Sequence, residues 1–191
     1  VLVDGAPVND PSSPQGAFDL SGLDLEGVDR IEVLEGPQGS LWGSDAIGGV
    51  ISITTTEPEG WRASAEGGSF GTVRATGSAG LADDRAALGG GIGWYASGGV
   101  SKADAQDGNP ERDGMQSRTA QSNGRERAAD WLTLDAKARI GWSQVQLDSF
   151  GGPTGVTDSP DSQHGWMATG YLRARIDGPW GVDQELRLDA I

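Results

Sequence analysis

From residue 61 onward, apolar and polar side chains alternate with period two over long stretches. Trp61, Ala63 and Ala65 share one face, opposed by Arg62, Ser64 and Glu66. Val73, Ala75, Gly77 and Ala79 oppose Thr72, Arg74, Thr76 and Ser78, and Ala86, Leu88, Gly90, Ile92, Trp94 and Ala96 form the next apolar face. Leu132, Leu134, Ala136, Ala138, Ile140 and Trp142 oppose Thr133, Asp135, Lys137 and Arg139. Leu172, Ala174 and Ile176 oppose Tyr171, Arg173 and Arg175, and Leu186, Leu188 and Ala190 oppose Glu185, Arg187 and Asp189. Period two is the signature of a strand with two unlike faces. With a shorter strand at 144–150, the pattern predicts about seven strands.

The character of the two faces narrows the class. A soluble sandwich buries large residues on strands of ~5–6 residues. Here the runs approach ten residues, the apolar face is thin and rich in Ala and Gly, and the long strands end near a Trp. A membrane-spanning strand needs ~9–11 residues, a lipid-facing apolar row, a polar lumen row and aromatic girdles. The connections alternate as well. SFG (69–71), ADD (82–84), a turn around Ser143 and DGPWG (177–181) are short, whereas 98–128 and 151–165 are read as long, polar and acidic loops. With the first barrel strand running outward, ADD, Ser143 and DGPWG fall on the periplasmic side and both long loops fall outside.

Before residue 57 the texture differs. VLVDG (1–5), RIEVLEG (30–36) and GGVISITTT (48–56) are short β-branched runs, read as strands. NDPSSPQGAFD (9–19) is a loop by its Pro, Ser, Asn and Asp content, and 19–30 accommodates one short helix. The expected organisation is a first unit over 1–56, a linker over 57–60 and the strand array over 61–191. The opening VLVDG and the closing QELRLDAI both read as strands cut midway, so the array is expected to expose unpaired edges and the isolated chain to aggregate in water.

Composition excludes other classes. Gly accounts for 32 of 191 residues and hydrophobic residues for only 36%, too thin for an ordinary soluble core. A net charge of −14 argues against nucleic acid, which demands a basic surface. With no Cys there is neither a disulfide scaffold nor a thiolate metal site. No stretch reaches the ~18 apolar residues of a transmembrane helix, which leaves barrel strands open.

The segment RIEVLEGPQGSLWGSDAIGGVISITTT (30–56) resembles the C-terminal part of the plug of TonB-dependent outer-membrane receptors: an IEVL-type strand, a GP turn, a small-residue turn ending in an aromatic and Gly, and an AIGGVINI-type strand. VLVDGAPVND looks like the plug strand that precedes an apical loop. Three positions depart from the pattern: Glu35 where a basic residue is common, Trp42 for Tyr and Ser52 for Asn. Glu35 puts in doubt any plug–barrel ion pair needing a cation there. The resemblance implies an all-β-dominated chain: about seven strands of a ~22-stranded transmembrane antiparallel barrel, preceded by part of an α+β plug. It implies a receptor that binds a scarce nutrient, cobalamin or a metal–siderophore, outside the cell and imports it to the periplasm with energy from TonB. The expected partners are TonB, outer-membrane lipid and the small nutrient, with no nucleic acid; the TonB-contact segment of the family lies further N-terminal. The spelling GSDAIGGVI and the acidic loops tilt the ligand towards cobalamin.

The resemblance also puts the 9–19 loop at the plug apex, where Asn9, Asp10, Ser12, Ser13, Gln15 and Phe18 offer polar groups and one aromatic to a ligand; the alternative is a plain surface turn. Asp107, Glu111 and Asp113 in the first long loop, with Asp148, Asp158 and Asp161 around the second, suit a hard cation such as calcium. GluArgAspGly (111–114) resembles an acidic-Gly loop of cobalamin receptors; against this, acids in long loops are usually solvated. No cofactor is otherwise required. His164, alone and without Cys, is a poor transition-metal ligand. GlyProGlnGlySer (36–40) lacks the GK[ST] of a nucleotide loop, and no nucleophile–base–acid set is visible, so the chain is not read as an enzyme. The competing readings are a secreted structural or adhesive β-protein and a β-scaffold carbohydrate-active enzyme, which requires a carboxylate pair in a cleft.

Overall fold

A computed structural model describes residues 1–9, 27–43, 46–100, 112–150, 156–157, 159 and 161–191. Two main sheets and one short two-stranded hairpin make up the described chain, and the two main sheets treat apolar surface differently.

The first is small and mixed. Strands β1 (Leu2–Val3), β2 (Ala6–Pro7), β3 (Val28–Glu35) and β4 (Gly49–Thr55) lie in the order β2-β1-β4-β3. β1 runs parallel to β4, with Val3 opposite Ile53, and the other pairs are antiparallel. Asp4 and Gly5 join β1 to β2 with φ of 48° and 84°. A two-residue hairpin needs positive φ at both central positions, and Asp-Gly supplies it at low cost. A single helical turn, α1 (Gly39–Trp42), connects β3 to β4. Val3, Val8 and Ile53 form the densest apolar contact of this sheet, with Val1, Val28 and Ile51 packed around them; Leu2, Ala46 and Val50 form a second cluster.

The second sheet is an up-and-down antiparallel array of seven strands. β5 (Gly60–Gly68), β6 (Thr72–Ala82), β7 (Ala86–Ser97), β8 (Met115–Ala129), β9 (Leu132–Gln146), β12 (Ser162–Asp177) and β13 (Asp183–Ala190) follow one another as spatial neighbours. The short β10 (Ser149–Phe150) and β11 (Val156–Thr157) form a separate hairpin in the connection after β9. Short turns at 83–85, 130–131 and 178–182 mark one end of the array. Asp83 fixes the first of them by accepting from the backbone N–H of Arg85 at 2.8 Å and of Ala86 at 2.7 Å, which holds its carboxyl below the usual range. At the other end lie the tight 69–71 turn and the two long connections. The array does not close: among the described residues β5 pairs only with β6, and β13 only with β12.

Strand membership departs from expectation in three places, one of them at 162–165, read as the end of a long loop but forming the start of β12. Residues 115–129, read as part of a long loop, are β8, laddered to β7 and β9 on both sides. Ser143, read as a turn, lies inside β9 opposite Ser117 and Gly165; of the strand expected at 144–150, residues 144–146 continue β9 and 149–150 are the short β10. One missed strand and one superfluous turn cancel, so the long connections still share one end of the sheet. β8 escapes the alternation rule because its outer row is Gln116, Arg118, Ala120, Ser122, Gly124 and Glu126, with no large apolar residue. Its neighbours' ladders hold it extended. The short helix expected within 19–30 falls mostly on residues outside those described, and 28–30 open β3.

The two faces of the array are unlike. Leu88, Ile92, Trp94, Ile140, Trp166, Leu172 and Leu188 are exposed on the outer face. On the inner face Ser117, Thr119, Asn123, Arg139, Thr169 and Tyr171 are buried beneath the small sheet and one another. Trp94, Trp142 and Trp166 sit near the long-loop end, whereas Trp61 is at the start of β5 and Trp131 and Trp180 lie in the short-turn end. Two aromatic belts thus flank an apolar band.

Candidate functional site: the contact between the small sheet and the wall

The small sheet sits on the inner face of the array, and the centre of the contact is polar. The Asp4 carboxylate accepts from Thr55, by its backbone N–H at 2.9 Å and its hydroxyl at 2.6 Å, tying the β1–β2 hairpin to the end of β4. Into this pair reaches Lys137 from β9. Its Nζ donates to the Thr55 carbonyl at 3.0 Å and lies 3.5 Å from Asp4 Oδ1 and 3.6 Å from Glu57. The Lys137 and Asp4 side chains are each only 12% exposed, so this ion pair is largely withdrawn from water. Arg125 of β8 adds a looser, exposed pair to Glu57 at 3.8 Å.

A second anchor comes from β13. Arg187 donates to the Asp4 carbonyl oxygen, pairs with Asp189 at 2.7 Å, and stacks over the Tyr171 ring at 4.2 Å. Cation–π stacking and the carboxylate fix a side chain that otherwise has many rotamers. Beside it, Arg173 bonds Asp135 and lies 3.9 Å from Glu185, with Arg175 3.6 Å from the other Asp135 oxygen. On the far side of Lys137, Arg139 donates to Gln121 at 3.0 Å. From the array, Met167 alone joins the Val3–Val8–Ile53 cluster. Among the described residues, charge and hydrogen bonds therefore supply most of the named links between the two sheets.

The chain crosses from one sheet to the other through a notch. Pro58 is buried against β6 and β7 where they carry Gly80 and Gly89, which face each other across the ladder. A Cβ on Gly80 would stand 1.8 Å from the Pro58 carbonyl oxygen, and one on Gly89 would stand 2.8 Å from Pro58 Cγ. Only glycine leaves that passage open.

Of the apical-loop residues expected to meet a ligand, Asn9 is described: its Oδ1 accepts from the Val1 nitrogen at 2.7 Å. Asp10, Ser12, Ser13, Gln15 and Phe18 lie outside the described residues. Of the acids considered for calcium, Asp107, Glu111 and Asp158 also lie outside them. Asp113 is buried at the loop base, Asp148 is half-buried, and Asp161 accepts from Ser159 at 2.6 Å and Ser149 at 3.3 Å. Among the described residues no three His, Cys, Asp or Glu side chains gather as a metal site. His164 bonds Ser162 at 3.1 Å and faces the Trp142 ring on the rim. Glu35 is exposed on β3; the plug–wall ion pair lies elsewhere, with the acids Asp4 and Glu57 on the plug side and the cations on the wall. Alternation had put Lys137 and Arg139 on the charged face, but nothing local marks Asp4, Thr55 or Glu57 as their partners.

Residues 1–50 match the family model described as the TonB-dependent receptor plug domain. Over 58 residues the chain is 43% identical to the vitamin B12 transporter BtuB of Vibrio vulnificus, a stretch covering 30% of this chain and 9% of that protein. The ferripyoverdine receptor of the Pseudomonas aeruginosa outer membrane superposes on 98% of this chain with a TM-score of 0.72 at 15% identity. The siderophore receptor PirA of Acinetobacter baumannii superposes over the same share with a TM-score of 0.50 at 16% identity. The chain spans 27% and 39% of those two structures, so it corresponds to a part of such a molecule. Residues 1–50 are thus similar to a TonB-dependent receptor plug, and the chain as a whole shares the fold of the corresponding part of those receptor structures.

Proposed function

We propose that the protein containing this chain is an outer-membrane uptake receptor that captures cobalamin or a metal–siderophore outside the cell and passes it to the periplasm with energy from TonB. The observation that carries this reading is the polar plug–wall contact centred on Lys137, Asp4 and Thr55. A plug that must shift during transport has to part from its wall without a large net cost. Parting hydrates both members of each hydrogen bond, and the net worth of one such bond to a charged group is about 1.5–3 kcal/mol. An apolar interface of the same extent would resist far more. A wall whose outer face is apolar and whose inner face is charged suits lipid on one side and water on the other.

Cobalamin is favoured over a siderophore because the 43% identity to a vitamin B12 transporter falls on a short aligned stretch, whereas the siderophore-receptor likeness is one of fold. Calcium held by Asp107, Glu111 and Asp113 together with Asp148, Asp158 and Asp161 would order the outer loops of such a receptor. The test uses the full reading frame, expressed in the outer membrane of a host stripped of its own receptors. Saturable binding of radiolabelled cyanocobalamin without TonB, and accumulation only with TonB, is the expected result. A ferric siderophore behaving so in its place would correct the ligand. Neither ligand binding, or uptake indifferent to TonB, would remove the proposal.

A further inference from the structure

The outer face of the wall carries one feature that an apolar band does not require. Across four adjacent strands, Trp94 of β7 pairs with Arg118 of β8, Arg118 with Trp142 of β9, and Trp142 with Trp166 of β12. All four residues share the outer face, each three or four positions from the long-loop end of its strand. The Arg118 guanidinium lies 5.4 Å from the Trp142 ring centroid. In the next register row towards the loops stand Gln116, Gln144 and His164.

Arg118 is exposed, and none of the ion pairs among the described residues includes it. It is also the one basic residue that the strand alternation places on the outer face; the other Arg and Lys of the seven strands fall on the inner rows. Glu126 is the one acid there, eight positions further along β8 towards the short-turn end. At ~3.3 Å per residue these charges stand roughly 26 Å apart along the strand, about 18–21 Å along the normal at a barrel tilt of ~35–45°, and so bracket most of an apolar strip like the ~25 Å band of a membrane barrel. Arg118 therefore sits at the long-loop water interface of that band. A guanidinium at such a boundary, with its stem along tryptophans, seeks an anion of the interface, and its planar fork fits phosphate oxygens.

From this we infer that Trp94, Arg118, Trp142 and Trp166, with Gln116 and Gln144 above them, bind the phosphate-bearing headgroup of an anionic lipid in the outer leaflet. Arg118 engages the phosphate, the glutamine amides supply neutral donors, and the tryptophans line the first segment of the acyl chains. This inference rests on the membrane-barrel reading given under Proposed function, though not on the identity of the transported nutrient.

The test is native mass spectrometry of the full-length receptor from mixed micelles containing dioleoyl phosphatidic acid or dioleoyl phosphatidylcholine. Wild type is expected to retain phosphatidic acid in preference. Arg118→Gln should weaken that retention about tenfold, the size of one charge-assisted hydrogen bond, and Arg118→Lys should restore part of it. Arg62→Gln, which removes a cation from the inner face, should change nothing. Equal retention by wild type and Arg118→Gln, equal loss in Arg62→Gln, equal retention of phosphatidylcholine, or displacement by inorganic phosphate alone would each overturn the inference. Heat-modifiable gel mobility reports separately on barrel formation: if wild type fails that measure, the barrel reading falls and this inference falls with it.

Discussion

Ile53 and Leu172 are both aliphatic residues inside β-strands of the same chain, yet Ile53 is 1% exposed and Leu172 is 61% exposed. The first belongs to a sheet whose β1 and β4 side chains pack against one another and against Met167, although Ile31, Val33 and Leu34 of β3 stay exposed. The second belongs to a sheet whose apolar residues, Met167 apart, lie mostly on the face turned away from the rest of the described chain. The same property of side chains serves two solvents. In the small sheet, burial of the β1 and β4 side chains removes apolar area from water at ~25 cal/mol per Å², whereas the apolar surface of the wall stays open, the arrangement expected of a face that meets an apolar medium. The polar residues reverse in step: they face out on β3, where Arg30 pairs with Glu32 in the open, and face in on the wall, where Lys137 and Asp135 are largely covered.

That contrast can be broken most forcefully at the point where the two sheets meet. Lys137→Ala leaves the covered Asp4 carboxylate without its cation, a loss of about 3–5 kcal/mol when a buried pair is halved. Guanidinium unfolding of the full-length receptor, followed by tryptophan fluorescence, should show the plug released first; an unchanged profile would mean the contact is incidental. Next in size is the lipid face. Leu172→Arg should cost about 2–4 kcal/mol in folding into vesicles, whereas Ser64→Arg on the inner face should cost little. Equal penalties on both faces would erase the distinction between them. Smaller again is Ile53→Val, expected to cost about 0.5–1.5 kcal/mol by leaving a methyl-sized gap in the plug. Ile92→Val on the outer face should be nearly silent in vesicles, because lipid refills the space. Least of all, chelating calcium should leave the folded state untouched and lower nutrient affinity alone, recovered on adding the ion back.

Much of this architecture was legible in the sequence because strand alternation is a local signal. Leu132 to Trp142 announced one apolar and one charged face, and the structure keeps them so. β8 stayed hidden because Gln116, Arg118, Ser122 and Glu126 give it no apolar row, and its extended form comes from hydrogen bonds to neighbours on both sides. The Ser143 turn was a misreading of the same kind, a polar residue taken for a break in a strand that the ladder carries through. The plug segment was legible through a run of unusual residues in fixed order, whereas the site between plug and wall was half visible. Lys137 lay on the charged row, but it meets Thr55 across 82 positions, and no periodicity reports a contact at that range.

The passage of Pro58 over Gly80 and Gly89 sets a limit on how the plug can move. Between Thr55 and Gly60 there are five peptide links, so the leash between the last plug strand and the first barrel strand pays out about 17 Å at full stretch. While Pro58 stays lodged, the slack is shorter still. A pull on the far end of the plug therefore meets a fixed moorage on the wall. In the transport reading, any rearrangement of the small sheet would have to leave this crossing in place or dislodge Pro58 first.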